Sequence, residues 1–386
     1  MKILYISQFF SDSTGGGETV ISNLAKEMTN RGHLVHVICH DTMERINPYP
    51  GLDIKYVKPC VVHKGGIPPS IWQNALYMVN AISEGIRLAR KNGIDVIHSN
   101  SHSSIIPGTV ISKIFNIPIV STIHDVFSFG SPSRWNRWTE QYSLSKAYAI
   151  LGPLFEKTNI RMPVDMIHAV SKSTKDEILE INPSARITII PNAINSKNFS
   201  NIDISLDKFV LFIGRLVFYK NLEVIILAFR LVLEDVPAAK FFIIGDGPMR
   251  SKWEELVISY RLSQNVIFLG HVSTEKKNEM LKKCSALVFP STHEGFGLVV
   301  LESFQMGKPV LAASVRPLDE IIRDGVDGYL IPPDRPKKWA EKIIELLNRT
   351  TLSKDMGSRG REKTLFEYNV SRIADDMEKL YRSLIK

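Results

Sequence analysis

Two carboxylates, Glu294 and Glu302, stand eight positions apart in the stretch STHEGFGLVVLESFQMGKPVLA, with Gly295, Gly297 and an apolar run between them. Acids on successive turns of one helix are three or four positions apart. The wider spacing suits one acid in a loop and one on the helix that follows. Glycines allow backbone N–H groups to approach a ligand closely, and a helix starting near Leu298 turns its positive end toward anions. Glu294 can then accept hydrogen bonds from sugar hydroxyls, and Glu302, one turn in, from a ribose. The plainer alternative is a capping glutamate followed by an exposed helical one.

Upstream, GRLVFYKN holds Arg215 and Lys220 five positions apart, just after an apolar run. Together they can neutralise a diphosphate, the guanidinium as a fork and the ammonium as a point charge; the alternative is two solvated surface cations. GGGE at 15–18 has the shape of a strand-to-helix loop for phosphate or sugar, although Val20 stands where a dinucleotide fingerprint wants its third glycine. Asp41, read as following the second strand, imitates the acid of such a site. In IIGDGP, residues 243–248, Asp246 reads as a cap on a structural turn. His124 ends the run STIHDVF. His98 and His102 are four apart in what reads as a strand end entering a loop, and two ligands are too few for an ordinary zinc site. No metal site is expected.

These residues need elements to hold them. Short apolar runs alternate with amphipathic segments along all 386 residues. KILYIS, HLVHVIC, DVIHSN, IPIVSTIH and DMIHAVS read as buried parallel strands in the first half, and FVLFIG, KFFIIG, NVIFLG, ALVFPS and KPVLAA in the second. The alternation predicts α/β architecture in two doubly wound units. Pro, Asn and Ser accumulate over residues 190–209, the expected joint, with a strand starting at Phe209. In open sheets of this kind ligands bind beyond the carboxyl ends of the strands, where the glycines, His124, Arg215 and Glu294 fall.

Hydrophobic residues make up 44% and charged ones 23%, the balance of a soluble globular chain, and no apolar run is long enough to span a membrane. The apolar N-terminus reads as a first strand and not a signal peptide. Cys39, Cys60 and Cys284 read as buried free thiols of a reducing cytoplasm. The net charge of +8 favours anionic partners but is spread along the chain, which argues against nucleic acid.

Taken together, GGGETVISNLAKEMTNRGHLVHVI, HAVSKSTKDEI, IIPNAIN, FIGRLVFYKN, FIIGDGP, VIFLGHV and FPSTHEGFGLVVLESFQMGKPVLA resemble, in that order, the retaining glycosyltransferases of family four, glycosyl transferases group 1. The resemblance covers almost the whole chain. It implies the GT-B fold: two facing Rossmann-like domains with a cleft between them. Residues 1–196 would be the acceptor-side domain and 197–370 the donor-binding domain, with 371–386 a helix packing back on the first. It implies that Arg215 and Lys220 bind the donor diphosphate and that Glu302 holds the ribose. Glu294 and the backbone of Gly295, Phe296 and Gly297 would hold the transferred sugar, with Gly214, Leu298 and Val299 completing the donor site. The Val272 backbone would meet the nucleobase, Gly15 and Gly16 the pyrophosphate and sugar, and His124 the sugar near its sixth oxygen.

The implied activity is transfer of a sugar, with α configuration retained, from a nucleotide-diphosphate donor to a saccharide or lipid-linked acceptor, without metal or other cofactor. A GT-B phosphorylase, a nucleotide-sugar hydrolase or epimerase, and a non-catalytic sugar-nucleotide-binding subunit remain alternatives. The expected setting is cytoplasmic. Residues 134–163 interleave Trp135, Trp138, Tyr142, Tyr148 and Phe155 with Arg134, Arg137, Lys146, Lys157 and Arg161. That pattern suits peripheral contact with an anionic membrane; a surface helix with its aromatics turned inward is the alternative.

Overall fold

The apolar runs assemble into two all-parallel sheets. The computed structural model describes residues 1–12, 15–42, 49–62, 69–128, 133–195 and 207–385. Most of the expected joint, residues 196–206, and the expected boundary between 196 and 197 lie outside the described residues. The chain divides into two compact units: Met1–Asn136, Ser145–Asn195 and Val370–Lys386 form the first, and Arg137–Leu144 with Ser196–Asn369 the second.

The first unit runs β1 (Lys2–Ser7), α1 (Gly16–Asn30), β2 (Leu34–Thr42), β3 (Leu52–Val61), α2 (Ile71–Asn92), β4 (Val96–Asn100), α3 (His102–Phe115), β5 (Ile119–Ile123), α4 (Ser133–Gln141, shared with the second unit), α5 (Lys146–Ile160), β6 (Met166–Ala169), α6 (Lys172–Ile181) and β7 (Ile187–Ile189). The second runs β8 (Phe209–Ile213), α7 (Leu222–Asp235), β9 (Lys240–Ile244), α8 (Arg250–Ser259), β10 (Val266–Gly270), α9 (Thr274–Lys283), β11 (Ala286–Phe289), α10 (Leu298–Gln305), β12 (Val310–Ala313), α11 (Leu318–Ile321), β13 (Gly328–Ile331), α12 (Pro336–Asn348) and α13 (Thr350–Glu367). The last helix, α14 (Val370–Leu384), belongs to the first unit.

Strand order is β3-β2-β1-β4-β5-β6-β7 in one sheet and β10-β9-β8-β11-β12-β13 in the other. Both reverse direction of growth beside their first strand, the doubly wound arrangement with a switch point there. Every strand read from an apolar run is present. The three not anticipated, β3, β7 and β13, all lie at sheet edges. Strand β3, LDIKYVKPCV, is only partly covered and mixes polar with apolar residues, and β7 and β13 have only 3 and 4 residues, too short to stand out as runs.

Three local expectations are corrected. His102 opens helix α3 and does not enter a loop, because Ser101 takes the N-cap position directly after β4. Asp41 lies within β2, which runs on to Thr42 beyond a register shift against β3. Cys60 is exposed on the edge strand β3, while Cys39 and Cys284 are buried.

Helix α14 seals one face of the first sheet. Ile373, Met377 and Tyr381 join Ile3, Tyr5, Leu24 and Met28 in a single core, and Arg31, just after α1, bonds Asp375 at 2.5 Å and the Ser371 carbonyl at 2.6 Å. The histidines concentrated in the first half of the sequence find one reason here. The His168 Nε2–H donates to the Ile190 carbonyl at 2.7 Å, so its Nδ1 accepts from Thr122 Oγ1 at 2.7 Å. Thr122 Oγ1 then accepts from His98 Nε2 at 2.5 Å, His98 Nδ1 from Tyr381 at 2.5 Å, and Tyr381 from Tyr5 at 3.1 Å. One direction of donation satisfies every link with both rings neutral. Burial is the main reason that His168 is pushed down to about 4 and His98 far below its ordinary range.

Acid should therefore loosen this unit. The unfolded chain takes up protons on these rings below about pH 6.5, whereas the folded chain holds them neutral. Stability is full above that pH and falls as pH drops toward 4, by about 2 kcal/mol per ring at pH 5. Urea melts from pH 7.5 to 5 should show the loss. Tyr381→Phe should cost about 1–3 kcal/mol at pH 7.5, because it strips the His98 Nδ1 of its donor and Tyr5 of its acceptor.

Candidate active site

In the second unit the chain leaves three neighbouring strands through loops that bond to one another by backbone. The Gly214 N–H donates to the Ile244 carbonyl at 3.0 Å, Leu216 to Asp246 at 2.9 Å, Met249 to Leu216 at 2.9 Å and Gly245 to Gly270 at 2.8 Å. Side chains are excluded at that spacing. A Cβ on Gly245 would sit 2.0 Å from the Gly214 carbonyl oxygen, and one on Gly247 would sit 2.6 Å from that of Leu216. Asp246 does cap this turn, accepting from the Gly247 N–H at 2.7 Å and from Arg250 at 3.2 Å.

Arg215 and Lys220 follow β8, and Glu294 follows β11, its neighbour across the switch point. Residues 218–220 form a short 3-10 turn, which lets Tyr219 bind the two loops together. Its carbonyl accepts from the Thr292 N–H at 2.8 Å, its hydroxyl bonds the Arg215 guanidinium at 3.3 Å, and its ring meets His293 edge-on. The Lys220 ammonium is ion-paired with Glu294 and lies 4.8 Å over the Phe289 ring. An ammonium has three N–H donors, so the pairing leaves Lys220 donors for a ligand.

Gly295, Phe296 and Gly297 lead from Glu294 into α10. Gly297 is the residue before the helix, with φ 99°, a left-handed conformation suited to glycine. The Phe296 side chain is buried against Tyr368, which leaves its backbone as the part available at the site. Leu298 and Val299 form the first turn of α10, where N–H groups have no partner within the helix. Glu302, one turn further, pairs with Lys277 of α9 at 2.9 Å. The two acids thus have separate cation partners. Val272, in the loop after β10, is half-buried just before Ser273, which caps α9.

Gly15, Gly16 and His124 lie in the first unit. Gly15 precedes α1 with φ 85°, and Gly16 begins the helix. His124 follows β5, and its Nε2 bonds the Asn100 side-chain oxygen at 2.8 Å. Asn100 in turn donates to Ser7 Oγ at 3.1 Å, and Ser7 donates to the Phe9 carbonyl at 2.5 Å. That chain fixes the His124 proton on Nε2. A Cβ on Gly17 would lie 3.1 Å from the same nitrogen, so the glycine loop and the imidazole are in close approach. Burial, helped by His168 and His102, pushes His124 down to about 3; the ring is neutral at physiological pH and acts as a hydrogen-bonding group.

Sequence reading missed Tyr219, Lys277 and Asn100. A lysine in the polar helix TEKKNEMLKK carries no mark that sets it apart, and only the fold brings it to Glu302. It also missed the carboxylates beyond His124. Glu156 is buried and accepts the N–H groups of Phe127 at 2.7 Å and Ser128 at 2.8 Å. Glu177 is pushed up to about 7, mainly by burial and then by Asp125.

Comparison with known proteins gives one consistent result. The family model described as Glycosyltransferase Family 4 matches residues 14–198, and that described as Glycosyl transferases group 1 matches residues 195–363. An uncharacterized glycosyltransferase of Methanocaldococcus jannaschii is 31% identical, over 94% of this chain and 93% of its own. Among solved structures, sucrose-phosphate synthase from Thermosynechococcus elongatus superposes with a TM-score of 0.79 at 21% identity, covering 100% of this chain and 99% of that one. Anabaena HepE in complex with UDP-glucose superposes with a TM-score of 0.74 at 19% identity, both chains covered completely. At these identities the two structures speak for the fold alone.

The close approach of the second unit's loops is open to a direct test. Gly245→Ala should destabilise this unit by at least about 2 kcal/mol, because the obstructing atom is backbone and cannot swing aside. Gly307→Ala, where φ is 68° but a Cβ would meet nothing within 4 Å, should cost only the conformational strain, about 1 kcal/mol. Denaturant unfolding of both variants would separate collision from strain.

Proposed function

We propose, from the premise that this chain belongs to glycosyltransferase family 4, the glycosyl transferases group 1, that it transfers a sugar from a nucleotide-diphosphate donor to a saccharide or lipid-linked acceptor with retention of the α configuration. One observation supports the reading above the others: Lys220 and Glu294, on neighbouring strand ends at the switch point, form an ion pair with Arg215 beside them. A cation pair next to a carboxylate matches a diphosphate next to a sugar.

In this reading Arg215 and the remaining Lys220 donors hold the diphosphate, helped by the start of α10. Glu302 accepts from the ribose hydroxyls. Glu294 and the backbone of Gly295 to Gly297 hold the sugar, with Gly214, Leu298 and Val299 around the donor and Val272 at the base. His124, neutral and oriented by Asn100, contributes a hydrogen bond to the sugar, and Gly15 and Gly16 bring backbone to the same ligand. The bond between the anomeric carbon and the phosphate oxygen breaks, and the acceptor oxygen bonds to that carbon on the same face. The acceptor's proton passes to the departing phosphate oxygen. Stabilisation of charge growing on the diphosphate is the main contribution of the protein. The cations of the site supply it, so no metal is called on, and the reaction belongs to the cytoplasm, where nucleotide sugars are made.

Arg215→Ala or Lys220→Ala should lower turnover about a hundredfold or more with the fold unchanged, the scale of losing one electrostatic donor. A panel of nucleotide sugars, read by released nucleoside diphosphate with and without acceptors, measures this. It also separates transfer from hydrolysis, phosphorolysis and mere binding. Near-normal turnover in either variant would remove the assignment.

Treatment with EDTA should leave turnover unchanged, and proton NMR of the product should show an α anomeric linkage from an α-linked donor. Loss of activity restored by magnesium or manganese, or a β product, would overturn the respective part of the reading.

A further inference from the structure

A chain that leaves a sheet must find new acceptors for its N–H groups. The last pairing of β5 is Ile123 with Ala169 of β6, so His124, Asp125, Val126, Phe127 and Ser128 lie beyond the ladder. The N–H groups of this loop meet two carboxyl groups. The Phe127 N–H donates to one oxygen of Glu156 at 2.7 Å and the Ser128 N–H to the other at 2.8 Å, and the Ser128 hydroxyl bonds that second oxygen as well. The Val126 N–H faces the carboxyl group of Glu177. The loop begins with His124, whose ring meets Asn100 and the glycine loop.

Glu156 is costly to keep where it is. Its exposure is 3%. The other buried carboxylate among the described residues, Asp327, is ion-paired with Arg323 at 2.7 Å and Lys363 at 3.5 Å. Among the described residues no lysine or arginine pairs with Glu156, and the His102 Nε2 stands 3.7 Å away, beyond hydrogen-bond length. A carboxylate withdrawn from water without a full countercharge is tolerated only when its oxygens are hydrogen-bonded. Here peptide N–H groups take that part. The helix is shaped for it: Gly152, one turn before Glu156 on the same face of α5, receives the Trp135 indole, where a Cβ would lie 2.4 Å from the ring. The Trp135 Nε1–H donates to Ser128 Oγ at 3.2 Å, and its ring meets Phe127 edge-on at 5.4 Å. Trp135 is thus turned onto this loop.

We propose that Glu156 is a positioning residue for His124: by holding the N–H groups of residues 127 and 128 it fixes the backbone that leaves β5, and with it the place of the imidazole at the transferred sugar. The inference rests on the reading of His124 as a sugar-contacting group. The ring itself has one side-chain bond, from Nε2 to Asn100. A ring bonded at one nitrogen can pivot unless its backbone is held. At the His124 carbonyl the holding contact is the Thr174 hydroxyl at 3.5 Å, a long bond that leaves most of the work to the loop beyond. The task needs a carboxylate. Each oxygen of Glu156 accepts a different N–H, whereas a glutamine offers one acceptor and turns an NH₂ group on the second N–H. Glu177 faces a single N–H, which a glutamine carbonyl can still accept, so the same substitution has unequal consequences at the two sites.

The test uses the full-length protein as wild type, Glu156→Gln, His124→Ala and the double variant, with UDP-glucose or the fastest donor of the nucleotide-sugar panel. Glu156→Gln should lower kcat at least about tenfold, the scale of a small misplacement of a contacting group, while UDP binding, given by the reading to the second unit, changes little. In the His124→Ala background the same substitution should cost less than about twofold more, since residues acting through one contact are not additive. Glu177→Gln should cost less than Glu156→Gln. A signature without substrate accompanies these. In protein labelled at histidine Cε1, the NMR signal missing from His124→Ala marks this ring. Burial pushes the ring down to about 3, helped by His168 and His102, which the substitution leaves in place. It should stay neutral in the wild type from about pH 8 to 5, and take up a proton within that range in Glu156→Gln, as water enters and it moves toward its ordinary value of about 6.5. If Glu156→Gln lacks a cooperative melt, Glu156→Asp, which keeps the charge but is one methylene shorter, takes its place with the same expectations. Equal fold losses in both backgrounds, normal turnover in the variant, or a His124 ring that stays neutral in it would overturn the proposal. Should the wild type turn over no nucleotide sugar, the proposed function falls, and the NMR titration alone decides whether Glu156 fixes this ring.

Discussion

Backbone must touch backbone where the second sheet ends. The loops after β8, β9 and β10 exchange peptide hydrogen bonds at about the spacing of strands, and Gly245 and Gly247 are the reason they can. With a side chain at either place the loops would part, and Arg215 and Lys220 would lose their floor. A loop without side chains is also a loop whose N–H groups remain within reach of a ligand. The same residues thus serve packing and chemistry, and the physical demand is identical in both.

Tyr219 extends that floor to the fourth strand end. Its carbonyl, hydroxyl and ring each take a different partner, Thr292, Arg215 and His293. This is how two cations and a carboxylate come to lie together without a dedicated core beneath them. Lys220 and Glu294 neutralise one another in the free protein, as Lys277 and Glu302 do. Each half-buried charge therefore has a partner, which lowers the cost of keeping it from water.

The first unit solves a different problem by a different means. Its sheet carries polar side chains in the interior, and it keeps them there uncharged. His98, His168, Thr122, Tyr381 and Tyr5 pass hydrogen bonds in one direction across four strands and α14, so neither ring needs a proton beyond its neutral form. Asn100 performs the same service for His124. A helix at the far end of the sequence is thereby fastened to the first strand by polar as well as apolar contacts, and its apolar share comes from Ile373, Met377 and Tyr381.

The sequence by itself determined the fold class, because strands covered on both faces are written largely in apolar residues, and β1, β2, β4, β5, β6, β8, β9, β11 and β12 each contain such a run, as does the edge strand β10. It also marked the glycine and charged motifs at their ends, since a ligand that meets backbone requires glycine and a diphosphate requires cations. Edge strand β3 escaped it because a half-covered strand mixes polar and apolar residues as loops do, and β7 and β13 because they are only 3 and 4 residues long. Partnership escaped it as well. Nothing local distinguishes Lys277 from the other lysines of α9, Asn100 from any strand-end amide, or the buried Glu156 from an exposed helical acid. Those assignments depend on which elements lie side by side and which face of a helix is left uncovered. Such contacts join residues tens or hundreds of positions apart, so only the tertiary structure decides them.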